Sequence, residues 1–523
     1  MHMRIHLDWR KHSIFNYPLK IIVVIGSLNN KWFLMHIKYP LLLILLVFIN
    51  KSMAQEEFAK INNVYENRII TPDEVLPLVD ETQNRFALIF LRGKVIDGYL
   101  FDESNEIIAE LNFQDKARAF KQVLGQTILK NQDFVVYLTT KNRRKFASSH
   151  FSFEKKIVEF NEIDLDLDLG YEEIIQTAEY NNKFHVLTIL PNTAIINIYR
   201  FNNQTDFTKH SIDFSHHSFL NKKQKVKDLY DMMTINTGLY GLDKSVDIVK
   251  IEKENPTTLE IACNSTKIYQ NENFITITFD SNNDITQIVD IDLEKLIGYA
   301  TSFQKAMGNW SYKEKTSNSF VDKDILYQIV STKRAFHLRA LNFRTGELIN
   351  EYSAHENEKI KFKNSSIIQT GGTFDNHRTF EDTGVLLRKM SRGKVGIAVQ
   401  NHDNLKQISY GGVIERSSNG MAMMPGFGIP IATFGAVTVF FNPTFFAYQS
   451  YTATKAIQVD ALFNSNFEHQ NGQLKENRFD LIEAFEVEHN ISPNGRTVFK
   501  MNNAYILGNY DAYHKTYTLR SFQ

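Results

Sequence analysis

Short apolar runs separated by polar breaks fill most of the chain, and within each run the alternation has a period of two, as in half-buried strands. One phrase recurs: an apolar strand, a second strand ending in an aromatic, a polar turn and a third strand. Phe86-Ala-Leu-Ile-Phe leads to Tyr99-Leu-Phe-Asp-Glu-Ser-Asn-Glu-Ile-Ile, and Phe134-Val-Val-Tyr-Leu to Phe151-Ser-Phe-Glu-Lys-Lys-Ile-Val. Phe184-His-Val-Leu-Thr-Ile leads to Ile198-Tyr-Arg-Phe-Asn-Asn-Gln-Thr, and later leading strands begin at Phe274 and Leu326. The starts at 86, 134, 184, 274 and 326 are 48, 50, 90 and 52 residues apart. The interval of 90 is close to two periods and predicts one degenerate copy within 220–255. Strand clusters repeating every 40 to 50 residues are the mark of propeller blades, whose stacking around an axis covers both faces of each small sheet. The pattern therefore predicts an all-β chain, a β-propeller of about six to eight blades, with tandem β-sandwiches as the alternative.

Two segments break the alternation. The run opened by Thr379-Phe-Glu-Asp places Val385, Leu386 and Met390 on one face and ends before Gly393. From Asn477, Phe479, Ile482 and Phe485 recur at near-helical spacing. Helical insertions are expected near 379–392 and 476–489. Terminal strands at Tyr505-Ile-Leu and Tyr517-Thr-Leu are compatible with closure of the body by pairing of the chain ends.

Residues 35–54 read as an export signal: His36 and Lys38 precede an apolar core from Leu41 to Ile49, and Ser52-Met53-Ala54 offers small residues for cleavage between Ala54 and Gln55. Met35 is then the expected start, with residues 1–34 an over-called extension and 55–523 the mature body. An uncleaved anchor from Trp32 to Ile49 is the alternative, but it places Lys38 inside a span whose clean apolar run is half the roughly 20 residues a crossing needs. The expected location is periplasmic or extracellular, with attachment to the envelope a further option.

Composition narrows the partners. Lys plus Arg and Asp plus Glu each number 59, so no global field draws nucleic acid. Hydrophobic residues at 43% suffice for a large core, and 40 Phe with 22 Tyr suit pleated strands. Cys263 is the single cysteine, which excludes an intrachain disulfide and multi-cysteine metal sites; in the strand-like run from Leu259 it reads as a small apolar filler.

The turn Asn342-Phe-Arg-Thr-Gly-Glu-Leu resembles the outer hairpin of quinoprotein-type propeller repeats, without their tryptophan after the turn. More broadly the mature chain is similar to exported bacterial proteins with degenerate β-propeller-like repeats, a family of unknown function. The resemblance implies a fold and transfers no site residue.

No phosphate loop, HExxH helix or GxSxG elbow is present. Asp164, Asp166 and Asp168 alternate with leucines, so a strand would put the three carboxylates on one face, where Ca²⁺ could find oxygen ligands. Alternate strand residues stand about 7 Å apart, too far for one ion to reach all three, and a solvated polar face is the preferred reading. His210, Asp213, His216 and His217 read as a polar loop. Ser417 to Thr454 is free of Asp, Glu, Lys, Arg and His, and its centre carries Met421, Met423, Met424 and Phe427. It is expected to pack over the β body or plug its axis; the sharper reading is an exposed apolar patch for a protein partner or a membrane surface.

These features give three functional readings: a binding or interaction propeller of the cell envelope, a propeller hydrolase or lyase with an axial active site, and a structural envelope component. Carboxylates and histidines with displaced pKa values at the axis would favour the enzyme, and amides with aromatics would favour binding. Mass spectrometry of the exported protein is expected to find Gln55 at the mature N-terminus; a distant N-terminus would overturn the signal assignment.

Overall fold

The computed structural model describes residues 56–523 apart from 63–71, 73, 93–94, 115–118, 121, 130–132, 141–142, 165–171, 238–242, 253–254, 306–314, 370–377, 403, 414–441 and 452–455. Gln55–Gln523 forms one compact unit. Its described strands build seven sheets of four or more strands, within the expected range for a β-propeller.

Blade 1 runs antiparallel through Glu74–Asp80, Arg85–Arg92, Val95–Phe101 and Ile107–Gln114. Blade 2 spans Gln122–Ile128 to Ile157–Ile163, and blade 3 spans Glu173–Tyr180 to Phe207–Asp213, in the same order. Blade 4 covers Thr266–Asn271 to Ile297–Gln304, and blade 5 covers Thr316–Asp322 to Ile325–Ser331, Ala335–Asn342 and Leu348–His355. Blade 6 is assembled from Ile367–Gln369 to His469–Gln470, with a long excursion after Val413. Blade 7 joins the two ends of the body: Thr497–Met501, Ala504–Asp511 and Thr516–Phe522 are completed by Glu56–Ile61, whose Ala59 pairs with Leu519.

The apolar runs are legible in the packing. In blade 1, Phe86, Leu88 and Phe90 face blade 7, while Ala87 and Ile89 face blade 2. In blade 2, Phe134 and Val136 face back to blade 1, while Val135 and Tyr137 meet Phe184 of blade 3. A strand buried on both faces must be apolar at every position, which turns alternation into a continuous run. Shared apolar clusters continue from blade 3 to 4 and through blades 4, 5 and 6. Between blades 6 and 7 the described residues share none. Instead, helices α4 (Pro443–Tyr451) and α5 (Arg478–His489) lay Ala447, Tyr448, Phe479, Ile482 and Phe485 against Val498 and Leu507 of blade 7.

The outer hairpins share one device. A side-chain oxygen at the start of the turn accepts backbone N–H groups two to four residues on: Asp102, Asn203, Asp292, Asn342, Asn464 and Asp511 each do so, in every blade except blade 2. At Asn342 the turn closes through Gly346 at φ +77°, a conformation glycine adopts without strain. The turn that resembles a known repeat is thus the outer hairpin of blade 5.

Helix α3 (Thr383–Met390) starts one turn later than the run from Thr379 suggested, capped by Asp382, and buries Leu386, Leu387 and Met390. Helix α5 buries Phe479, Ile482 and Phe485 as expected. The degenerate copy expected in 220–255 is not a blade. That stretch holds two small hairpins, Phe219–Leu220 with Val226–Lys227 and Thr234–Thr237 with Asp243–Val246, around the short helix α1 (Leu229–Met233). Its last strand, Val249–Ile251, joins blade 4 in parallel with Thr266–Asn271. The run from Leu259 is also not a strand: Thr258 accepts from the Ile261 N–H and caps the helical turn α2 (Leu259–Ala262). Cys263 is buried behind it, its thiol pushed up to about 12 by desolvation.

Blades 4 and 5 enclose three charges with no solvent access. Lys267 Nζ stands 3.0 Å and Lys305 Nζ 2.9 Å from the Asp280 carboxylate, which also accepts from Ser319 Oγ at 2.7 Å and Thr286 Oγ1 at 3.0 Å. Burial opposes ionisation of Asp280, but the two lysines outweigh it and hold the carboxyl well below its usual range. Asn318 accepts from Lys267 at 2.6 Å and donates to the Val395 carbonyl at 3.0 Å, which carries the network into blade 6. Asp280→Asn leaves two buried ammonium groups without their counter-charge and is expected to cost about 3–5 kcal/mol in denaturant unfolding; a loss under 1 kcal/mol would show that the triad is not the tie between these blades.

Candidate functional site

The first strands of blades 1, 2, 3, 4 and 7 converge on one cavity of about 300 Å³. Pro77 and Val79 line it from blade 1, Leu124, Gly125 and Gln126 from blade 2, and Thr177, Ala178 and Glu179 from blade 3. Gln270 with Lys250 and Glu252 comes from blade 4, and Phe499 with Lys500 from blade 7. The rest of the wall is Phe184 from the second strand of blade 3 and the start of helix α4, with Asn442 and Thr444. The cavity is therefore axial, formed where inner strands meet.

Two local irregularities shape it. The ladder between the first and second strands shifts register between Val123 and Gly125 in blade 2, and between Ile174 and Gln176 in blade 3. Such bulges re-aim side chains and sharpen twist, and here they sit beside Gln126 and Thr177. Gly125 is required sterically: a Cβ there would lie 2.4 Å from Phe184 Cε2, a ring that stacks on Tyr137 at 4.2 Å.

Both insertions that interrupt the repeat reach this axis. The parallel strand Val249–Ile251 brings Lys250, whose Nζ lies 2.7 Å from Glu252 Oε1. Asn255, just beyond, donates through Nδ2 to Thr444 Oγ1 at 3.3 Å. Asn442 caps α4 by accepting from the Phe445 N–H at 3.0 Å and donates to Thr497 Oγ1 of blade 7 at 2.9 Å. The described end of the uncharged 417–454 segment thus packs on the body and walls the axis. Met421, Met423, Met424 and Phe427 lie outside the described residues, as do Ala54 and Gln55.

Other polar groups around the cavity are tied to the backbone. Thr177 Oγ1 donates to the Leu124 carbonyl at 2.7 Å, and Gln270 Nε2 to the Glu179 carbonyl at 2.7 Å. The Glu179 side chain differs. Its carboxyl is open to the cavity water yet walled by protein, and no described residue gives it a hydrogen bond or ion pair. Burial first, and then the negative charge of Asp80, push it up to about 7. Asp80 itself is fully buried and held by Arg85 Nε at 2.9 Å and Thr82 Oγ1 at 2.6 Å.

The residues singled out from sequence lie elsewhere. Asp164 is exposed just past the last strand of blade 2, and Asp166 and Asp168 are outside the described residues. His210 is exposed on the outer strand of blade 3, Asp213 accepts from the Ser215 N–H, and His217 packs on Phe219 and meets Ser302 Oγ at 3.4 Å. Among the described residues no group of three His, Cys, Asp or Glu side chains converges as metal ligands, and no helix is long and apolar enough to cross a membrane. A second recess of about 420 Å³ includes Arg85, Asp133 and Phe153 of blades 1 and 2. Two of its ionic groups are committed, Arg85 to Asp80 and Asp133 to His150 Nε2 at 2.8 Å, and Glu154 and Lys156 also line it.

Sequence reasoning missed Glu179, Gln126 and Gln270. The available signal was contrast: Gln122-Val-Leu-Gly-Gln-Thr-Ile and Glu173-Ile-Ile-Gln-Thr-Ala-Glu-Tyr are small and polar beside the apolar strands that follow them.

No protein-family model matches the chain, and comparison with characterised sequences gives no match. Similar solved structures include the Dos1 propeller, at 8% identity over 89% of this chain and 95% of that one, with a TM-score of 0.27. The WD40 domain of SCAP from fission yeast is 8% identical over 86% of this chain and 84% of its own, with a TM-score of 0.27. Prolyl oligopeptidase B from Galerina marginata is 8% identical over 84% of this chain and 47% of its own, with a TM-score of 0.30. Likeness at this level carries no argument about chemistry, and the propeller assignment rests on sheet order and inter-blade packing.

A carboxyl held above its ordinary value of 4.5 binds its proton more tightly in the folded chain, so its contribution to stability is lost as pH rises from there through about 7. Glu179→Gln is expected to raise the urea midpoint relative to the parent at pH 8, with the gap narrowing toward pH 5. An equal gap at both pH values would mean that the group is not perturbed.

Proposed function

We propose that this chain is an exported binding propeller that receives a small polar molecule in its axial cavity, working at the cell envelope in the periplasm or outside the cell. The observation that carries the reading is the composition of the axis: amides and hydroxyls from Gln126, Gln270, Asn442, Thr177 and Thr444, with the rings of Phe184 and Phe499, around a cavity of about 300 Å³. A few convergent polar groups on an apolar surface are what orient a small ligand. General acid–base chemistry usually calls on a matched pair of groups, and Glu179 is the one carboxyl there that no described residue pairs.

Export rests on the signal-like run at residues 35–54. A cut between Ala54 and Gln55 would leave the Glu56–Ile61 strand intact, and that strand completes blade 7. The second reading, a hydrolase or lyase with its active site on the axis, is favoured by the Glu179 carboxyl held near neutrality.

The test is saturation-transfer NMR on residues 55–523 with a panel of small alcohols, amides, amines and carboxylic acids. At least one class is expected to bind, and Gln126→Trp and Gln270→Trp, each filling the cavity from a different blade, are expected to weaken it tenfold or more while melting stays within a few degrees. Binding indifferent to both variants would overturn the axial assignment, and conversion of a probe to product would favour the enzyme.

A further inference from the structure

Resting on the reading of the axial cavity as a binding site, we propose that its ligand is a small organic cation whose ammonium group is taken by the Glu179 carboxylate and whose apolar body lies along Val79, Leu124 and Phe499.

The donors and acceptors around the cavity are unequally spent. On the donor side, Lys250 is committed to Glu252 at 2.7 Å, Gln270 Nε2 to the Glu179 carbonyl at 2.7 Å, and Asn442 Nδ2 to Thr497 at 2.9 Å. The Thr177 hydroxyl is committed to the Leu124 carbonyl at 2.7 Å, and Lys500 is engaged by protein neighbours. On the acceptor side, the Glu179 carboxylate takes nothing from any described residue, and Gln126 Oε1 has no partner. A molecule entering this site meets donors that already serve a protein partner and two acceptors that serve none, so a group that brings N–H donors is favoured.

Charge points the same way. A carboxylate partly walled by protein and without a cation is harder to ionise than a free one, and a counter-ion removes that cost. The charge that acts on Glu179 is Asp80, which is negative. An ammonium group relieves both the missing partner and the unfavourable field, whereas an anion would meet that field with the lining cations already engaged. The hydrocarbon part of the ligand has Val79, Leu124 and Phe499 to cover it, and an aromatic face beside a cation adds attraction.

The test compares three probes of one size at pH 8: phenethylammonium, phenylacetamide and phenylacetate, titrated by NMR into residues 55–523 and into Glu179→Gln, Glu179→Asp and Gln126→Trp variants. Phenethylammonium is expected to bind at least tenfold tighter than phenylacetate. Glu179→Gln is expected to erase that preference and Glu179→Asp to retain part of it, with every variant folded at pH 8 and Glu179→Gln at least as stable as the parent. Equal binding of the three probes, blocked by Gln126→Trp and untouched by Glu179→Gln, would overturn the cation inference while leaving the binding cavity in place. Failure of all three probes to bind the parent would overturn both.

Discussion

A sheet such as blade 1, with Phe86, Leu88 and Phe90 on one face and Ala87 and Ile89 on the other, has no face it can leave in water. Every blade needs a neighbour on each side, and that requirement organises the molecule from blade 7 through blades 1 to 6. It also explains the departure from the repeat. Between blades 6 and 7 no apolar cluster is shared among the described residues, and helices α4 and α5 cover the face of blade 7 with Tyr448, Phe479 and Phe485. Glu486 pins that arrangement, accepting from Tyr448 OH at 2.7 Å and from Arg496 Nη1 at 2.7 Å. The helices are part of the packing that a blade would otherwise supply.

The buried charges between blades 4 and 5 are supplied with their partners. The Lys267–Asp280–Lys305 triad is shut from solvent, yet each ammonium group reaches the carboxylate and further oxygens, Lys305 through the Asn282 carbonyl and Ser317 Oγ. The same rule holds in Glu172, which accepts from Lys209, Thr188 and Tyr199 within blade 3 and is held below its usual range by those bonds despite burial. Glu179 differs from both: it is a solvent-accessible carboxyl on the cavity wall for which the described residues provide no partner. A carboxyl set on a cavity wall without a protein partner is a candidate for function rather than for stability.

The cavity around it is assembled where regularity fails. Two bulged inner strands, a parallel strand delivered by the 220–255 insertion and the helix that closes the uncharged segment all meet there. Regular blades provide the rigid frame, and the irregular pieces supply Lys250, Glu252, Asn442 and Thr444. Asn255 and Thr444, 189 residues apart in sequence, are hydrogen-bonded at this point.

Much of the fold was legible along the chain because its cause is local. Continuous apolar strands at Phe86, Phe134, Phe184, Phe274 and Leu326 record burial on both faces, and the Asp or Asn that opens the outer hairpin of every blade but blade 2 records a turn that closes on its own backbone. The helix around Phe479, Ile482 and Phe485 was legible for the same reason. The apparent blade in 220–255 was not, since spacing alone cannot separate a missing repeat from an insertion of equal length; blade 7 needed the pairing of Ala59 with Leu519, which no local pattern contains. The site was least legible of all. Amino-acid order alone set which segments are strands, which turns join them and how much surface must be hidden. Only the tertiary structure decided that Glu179, Gln126, Gln270 and Thr444 share one cavity, because a carboxyl becomes isolated and hard to ionise through neighbours that come from distant blades.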